Sequence, residues 1–306
     1  MGNKMAAAAA KLSGAASNLT PIPHIEQLSP RVIRLLGCNP GPFTLLGTNT
    51  YIIGTGKRRI LVDTGDKGVT EYITNLKEIL SAYSISIQEI FITHWHHDHV
   101  GGIPDVLHAL GEDGKNMIIS KFPRAGFNEN IKDHAAGYTF IPDGHVMRTE
   151  GATLRCLHTP GHTTDHIALY LEEEEVVFSG DCILGEGTTV FEDLYDYMKS
   201  LDALLNLKPK VIYPGHGPVI PNPIEKIKEY INHRNMRELQ ILEALMNNNG
   251  VPMSSMDLVK NIYTDISFLL RKAAEQNVNH HLSKLEKEGK IVAVGEGSRV
   301  KWKSSL

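Results

Sequence analysis

The stretch Thr93-His94-Trp95-His96-His97-Asp98-His99 holds the densest set of metal-ligating groups in the sequence. His94, His96, Asp98 and His99 follow an apolar run, Glu89–Thr93, and precede Gly101-Gly102. That places them on a strand-to-helix turn, where four side chains can converge on a small volume. Unprotonated imidazole nitrogens and carboxylate oxygens at such density are what a divalent transition metal requires. Without a metal, each group would need its own polar partner, and protonated imidazoles would repel one another. The competing reading is a solvated histidine-rich loop.

Four further motifs weaken that alternative. Each is an apolar run followed by a tight turn and a polar group: Ile60-Leu61-Val62-Asp63-Thr64-Gly65, Leu157-His158-Thr159-Pro160-Gly161-His162, Phe178-Ser179-Gly180-Asp181 and Tyr213-Pro214-Gly215-His216-Gly217. A glycine beside each polar residue lets the backbone turn sharply and approach a ligand. Taken alone, His162 or His216 reads as an ordinary core or loop histidine. Recurrence of one layout at five strand ends points instead to a shared site.

In this order, and across about Val32–Gly217, the motifs resemble the metallo-β-lactamase superfamily. The resemblance implies an α/β fold, the αβ/βα sandwich, with two zinc ions (Zn2+) at one edge. Carried over position by position, it implies that His94, His96 and His162 bind one ion and that Asp98, His99 and His216 bind the other. Asp181 would bridge them, Asp63 would support the site from behind, and His97 would be a partly exposed neighbour. Asp98 and Asp181 would be catalytic. Two such ions can ionise a water to hydroxide near neutral pH and polarise the bond it attacks.

Strands are predicted at Val32–Leu36, Tyr51–Ile53, Ile60–Val62, Glu89–Thr93, Met117–Ser120, Thr153–Leu157, Ile167–Leu171, Val176–Phe178 and Val211–Tyr213. Helices are predicted near Val69–Ala82, Ile103–Leu110 and Tyr195–Leu205, with an irregular loop over Lys121–Ala136. Composition shifts after Pro221. Pro223–Asn248, Ser254–Tyr263 and about Phe268–Glu288 read as helices, and Lys290–Val294 with Arg299–Trp302 as a hairpin, which is the winged-helix order. The chain thus divides into residues 1–30, 31–221 (metallo-β-lactamase-like) and 222–306 (a small winged-helix-like domain). The first ~20 residues are small, polar and free of acids, which suits a mitochondrial transit segment or a flexible tail.

The superfamily acts on many substrates, so flanking sequence has to choose among them. Gly37-Cys38-Asn39-Pro40-Gly41-Pro42, Gly47-Thr48-Asn49-Thr50-Tyr51, Phe191-Glu192-Asp193-Leu194-Tyr195, Ile231-Asn232-His233-Arg234-Asn235 and Leu285-Glu286-Lys287-Glu288-Gly289 are similar to the beta-lactamase-like protein 2 family of animals. That resemblance implies an endoribonuclease of the mitochondrial matrix that prefers single-stranded RNA. A cytoplasmic location, a glyoxalase II-like thioester hydrolase and a non-catalytic RNA-binding module are the alternatives, and a homodimer is left open. Residues 222–306 carry 13 Lys and Arg against 10 acids, whereas the whole chain has a net charge of −4. Arg271, Lys272, Lys284, Lys287 and Lys290, with Arg299, Lys301, Trp302 and Lys303 in the hairpin, are therefore candidate RNA contacts. Dimerisation or scaffolding is the other role open to this domain. Three cysteines without CxxC spacing suggest no disulfide framework. The longest apolar run, Met5–Ala10, is too short to span a bilayer.

Overall fold

Val32–Leu36 lacks the alternation of a half-solvated strand, and in the computed structural model all five of its residues are buried. The structure describes residues 19–131, 137–264, 267, 270–297 and 300–305. Strands β1 (Ile25–Ser29), β2 (Val32–Leu36), β3 (Asn49–Ile53), β4 (Arg58–Val62), β5 (Ser86–Ile92), β6 (Ile118–Lys121) and β7 (Thr139–Phe140) form one sheet in sequence order. Pairing is antiparallel from β1 to β4 and parallel from β4 to β7. Helices α1 (Thr70–Ala82), α2 (His97–Val100), α3 (Ile103–Leu110) and α4 (Glu112–Lys115) lie between the parallel strands in sequence. A second sheet takes the order β12-β11-β10-β9-β8, from β8 (Val146–Thr149), β9 (Ala152–His158), β10 (Ile167–Leu171), β11 (Val176–Gly180) and β12 (Val211–Pro214). Helix α5 (Leu194–Leu207) makes the crossover from β11 to its parallel neighbour β12.

Three apolar layers explain why the strands are so uniformly hydrophobic. Tyr51, Phe91, Leu154, Leu169 and Phe178 pack between the two sheets. Ile33, Ile52, Leu61 and Ile90 face the other way, against Leu76 and Ile79 of α1 and Val106 of α3. Ala168, Val177 and Ile212 pack on Tyr197 and Leu201 of α5. Both faces of each sheet are dry, which is the αβ/βα sandwich.

Two features differ from the sequence reading. Residues 1–30 are not wholly a tail, because Ile25–Ser29 is an edge strand held to β2; buried Arg34 of β2 pairs there with Glu26. One short charged strand has too little pattern to be read alone. Residues 1–18 of that segment lie outside the described residues. The second difference concerns residue 222 as a boundary. Helix α6 (Pro223–Met246) contributes Ile227 and Tyr230 to the layer on α5, and only its later turns, with Ile241, Leu242 and Leu245, belong to the C-terminal core. That core is completed by α7 (Ser255–Ile262), α8 (Arg271–Lys287) and the hairpin of β13 (Ile291–Val294) and β14 (Lys301–Ser304). Ser254 caps α7 through a reciprocal bond with Asp257. Among the described residues no helix is long and apolar enough to cross a membrane.

Candidate metal centre

Each ligating side chain sits just past the C-terminal end of a strand. Asp63 follows β4, the His94–His99 group follows β5, His162 follows β9, Asp181 follows β11 and His216 follows β12. At such ends the backbone has left the ladder, so side chains from both sheets can turn toward one edge. His94 Nε2 lies 3.0 Å from His96 Nδ1 and 3.2 Å from His162 Nε2, and His96 Nδ1 lies 3.0 Å from His162 Nε2. Three basic nitrogens that face one another gain nothing from the arrangement unless a cation or a proton sits among them. A second group places Asp98 Oδ2 3.3 Å from His99 Nε2 and 3.2 Å from His216 Nε2.

Asp181 divides its carboxylate between the groups. Oδ2 is 3.5 Å from His162 Nε2 and 3.9 Å from His94 Nε2, while Oδ1 is 3.3 Å from His216 Nε2 and 3.5 Å from His99 Nε2. His99 Nε2 and Asp181 Oδ1 are both buried without a properly formed hydrogen bond. Orphaned buried donors and acceptors are costly, so this set fits a pair of divalent cations.

The electrostatics agree. Burial and the neighbouring imidazoles His162 and His99 push His96 down to about 3, with Asp181 opposing, which leaves it a neutral ligand. Burial likewise holds His94 well below the ordinary imidazole range. Burial would also depress His99 and His216, but the carboxylates outweigh it. Asp98, Asp63 and Asp181 hold His99 well above its ordinary value, and Asp181 and Asp98 bring His216 to about 10. A half-site that attracts protons this strongly attracts metal cations for the same reason, the two competing for one lone pair.

Supporting contacts fix these groups in place. Asp63, at φ 59°, accepts from the Thr93 amide at 2.9 Å and the Thr93 hydroxyl at 2.9 Å, and lies 2.8 Å from His99 Nδ1. It thereby aims Nε2 of His99 at the cluster. Two glycines are required by closeness. A Cβ on Gly215 would sit 2.4 Å from Asp181 Oδ1, and one on Gly180, at φ +46°, would sit 2.6 Å from His166 Nε2. His97 is exposed, with Nδ1 2.7 Å from Asp66.

Several contributors were not singled out from sequence. Fully buried His166 accepts from the Asp181 amide at 3.1 Å and is itself held by Thr159 at 2.8 Å. Thr48 donates to Asp98 Oδ2 at 3.0 Å. Asn49 donates to the Pro214 and Gly217 carbonyls, both at 2.9 Å, pinning the loop that carries His216. His166 lies four residues beyond His162, a weak signal; Thr48 and Asn49 belong to the quoted Gly47–Tyr51 motif, but nothing local reveals their partners 50 and 165 positions away.

The basic candidates of the C-terminal domain need correction. Lys284 is buried and bonded to Glu238 and Glu288, so it faces no solvent. Lys287 reaches back to Asp193, the N-cap residue of α5. Lys290 pairs with Glu238 and Glu288. Trp302 packs partly buried on the small core, and its backbone bridges to Met253. Acids interleaved on and around α8 explain this: they pair with the lysines that a count of charge treats as free. Arg271 is half-buried, Lys272 is exposed, and Arg299 lies outside the described residues.

The metal cluster opens on a cleft of about 430 Å³ lined by Phe43, Trp95, His96, Asp98, His162 and Asp181, with the turn Glu186–Val190 as one wall. A second lobe of about 450 Å³ continues from it past Phe191 to α6 and α8.

Comparison with known proteins agrees with this architecture. A profile of the Metallo-beta-lactamase superfamily matches residues 43–216, and one of the Beta-lactamase associated winged helix domain matches residues 254–302. The chain belongs to the metallo-beta-lactamase superfamily, a family of metal-binding hydrolases, and carries the winged-helix domain associated with it. It is 50% identical over 273 residues to a beta-lactamase-like protein 2 homolog of Drosophila melanogaster, covering 88% of this chain and 92% of that one. It is 42% identical over 234 residues to an atrochrysone carboxyl ACP thioesterase of Claviceps purpurea, covering 76% and 71%. A beta-lactamase domain protein from Burkholderia ambifaria shares the fold, with a TM-score of 0.75 at 19% identity over 95% of this chain and 96% of that one.

Proposed function

We propose that the chain is a dinuclear-zinc endoribonuclease that cleaves single-stranded RNA in the mitochondrial matrix. The observation that carries the dinuclear half is the division of Asp181, with one carboxylate oxygen toward each donor group. The nitrogen-rich first group and mixed second group suit zinc. The RNA half is supported by the resemblance of the flanking motifs to the beta-lactamase-like protein 2 family and by a cleft that runs on past the ligands into a second lobe.

Two divalent cations, when bound, supply Lewis acidity and ionise water near neutral pH. The chain's own residues prepare the rest. His162 is fixed by a 2.6 Å bond from Nδ1 to the Val190 carbonyl, and His99 by Asp63, so neither ring can swing. Asp98 lines the cleft with 21% of its side chain exposed and has Oδ2 held by Thr48. It is the carboxylate within reach of an attacking water and accepts its hydrogen bond. Attack at phosphorus by such a water, with the P–O3′ bond breaking and the 3′ oxygen leaving with a proton, gives a 5′-phosphate and a 3′-hydroxyl.

Thioester hydrolysis is the second reading, favoured by the fungal thioesterase at 42% identity. It ranks below on the flanking motifs, which resemble the beta-lactamase-like protein 2 family, and not on coverage, since a second fungal thioesterase is 40% identical over 90% of the chain. The zinc-loaded protein, its Asp181→Ala variant and a His96→Ala variant should be assayed on single-stranded RNA and on glutathione and acyl-carrier thioesters, with zinc per chain measured. Wild type should yield 5′-phosphorylated RNA fragments, and both variants should lose cleavage and zinc together. Thioester turnover without RNA cleavage, or RNA binding with no turnover of either substrate, would overturn the reading.

A further inference from the structure

The second lobe of the cleft carries side chains that the metal chemistry does not use. It shares Phe43, Trp95, His96 and His162 with the metal cleft, so a substrate held at the ligands extends into it without a break. Its far wall is one face of α8. Ala273, Gln276, Asn277 and His280 line it at spacings of three and four, the neighbours on a helix surface. Gln276 is exposed and Asn277 half-buried. Among the described residues neither amide has a hydrogen-bond partner, so each presents two donors and an acceptor to whatever enters.

The third wall comes from α6. Arg234, 4% exposed, donates from Nη2 to the Thr189 carbonyl at 3.3 Å and from Nη1 to His233 Nδ1 at 2.6 Å. An arginine cannot accept, so His233 Nδ1 must be the lone-pair nitrogen and the ring proton sits on Nε2. Burial and the positive charge of Arg234 push His233 below its ordinary value, which keeps that tautomer at neutral pH. The exposed imidazole is thereby a preset donor on the lobe.

We propose that this lobe is the subsite for one unpaired nucleotide beside the scissile phosphate, with Gln276 and Asn277 bonding the base edge and His233 Nε2 donating to the adjoining phosphate. The assignment rests on the RNA reading above. Paired amides of this kind match the mixed donor and acceptor edges of a nucleobase, and the apolar side chains of the same lobe, Phe43, Trp95, Phe191 and Ala273, suit its ring faces. Phe43, 36% exposed at the junction of the lobes, offers a ring face for stacking. A lobe of about 450 Å³ closed by α6 and α8 admits one splayed base and no duplex, which builds a preference for single strands into the domain arrangement. The winged-helix domain then touches RNA through a neutral helix face rather than through the lysines of α8.

The test uses the full zinc-loaded chain on short oligoribonucleotides of each base, comparing wild type with Gln276→Leu, Asn277→Leu and His233→Phe; Asn277→Asp, isosteric, covers the case in which leucine disturbs α8. Steady-state rates, mapped cleavage sites and zinc per chain are read. Each variant should raise KM by about tenfold, the scale of one lost polar contact, with a smaller change in kcat and full zinc content. The amide variants should change base preference at one position beside the cut, and His233→Phe should weaken all sequences alike. Variants with wild-type KM and preference, on an enzyme that does cleave RNA, would refute the subsite alone. A wild type that hydrolyses thioesters and spares RNA would remove the RNA reading, and the subsite with it.

Discussion

Arg234 holds the metal centre together from the outside, and replacing it with methionine separates tethering from packing. Its guanidinium grips the Thr189 carbonyl, and the Thr189 hydroxyl in turn donates to the carbonyl of Asp181. One residue further, the Val190 carbonyl receives His162 Nδ1. The same turn is held by Tyr230, which receives the Leu184 amide at 3.3 Å and donates to Gly187 at 3.1 Å. A hydrogen bond from a charged donor contributes roughly 1.5–3 kcal/mol, and an orphaned buried carbonyl costs about 1–3 kcal/mol. Methionine keeps much of the stem's packing near Phe191 and Tyr230, and removing a guanidinium whose Nε is already unpartnered recovers part of the loss. The net expectation for Arg234→Met is a destabilisation of about 2 kcal/mol, a fall in Tm of roughly 3 °C for a chain of this length. Slack in the turn should also weaken zinc binding by roughly 10–100-fold. Lys287→Ala provides the contrast. Its pair with Asp193 joins side chains 46% and 34% exposed, so it should cost about 0–1 kcal/mol and leave zinc affinity alone. Thermal melting and chelator-competition titration read both quantities. If Arg234→Met melts lower yet binds zinc as tightly as wild type, the turn does not position the ligands and the reasoning fails.

Three other outcomes follow from single contacts. Gly215→Ala should cut activity by about a hundredfold or more, because its methyl group must displace the Asp181 carboxylate 2.4 Å away; wild-type rates with full zinc would contradict this. Asp63→Asn tolerates the same left-handed backbone but removes the charge facing His99 Nδ1, so zinc affinity should drop roughly 10–100-fold in the competition titration. Lys121 and Asp165 are both fully buried and 2.6 Å apart, with Glu129 also 2.9 Å from the ammonium, so Lys121→Met should destabilise by about 3–5 kcal/mol in denaturant unfolding, and adding Asp165→Leu should recover part of it.

How much of this was legible in the chain depends on the range of the interaction. The strands were readable because both faces of each sheet are dry, which forces runs such as Ile167–Leu171 to be apolar throughout. The five motifs were readable because a ligand turn needs a glycine beside a polar group, a demand that is local and leaves its mark within six residues. The start of α7 was readable to within a residue, Ser254 or Ser255, for the same reason: the cap that the structure places at Ser254 reaches only as far as Asp257. The edge strand Ile25–Ser29 was not, since its identity comes from the pairing of Glu26 with Arg34 and from the ladder to β2.

What the sequence by itself determined is therefore the inventory: which side chains can ligate, on which turns they sit, and that a winged-helix order follows them. Only tertiary structure decided which of those groups face one another. It alone recruited His166 and Thr48 and paired the lysines of α8 with acids instead of leaving them to a polyanion. The physical reason is that ligation and charge pairing depend on distances of a few ångströms between residues far apart in the chain, whereas sequence pattern reports only what lies within a few turns of backbone. The same reason places the lobe between α6 and α8 beyond reach of any motif, because its walls come from segments joined only by the fold.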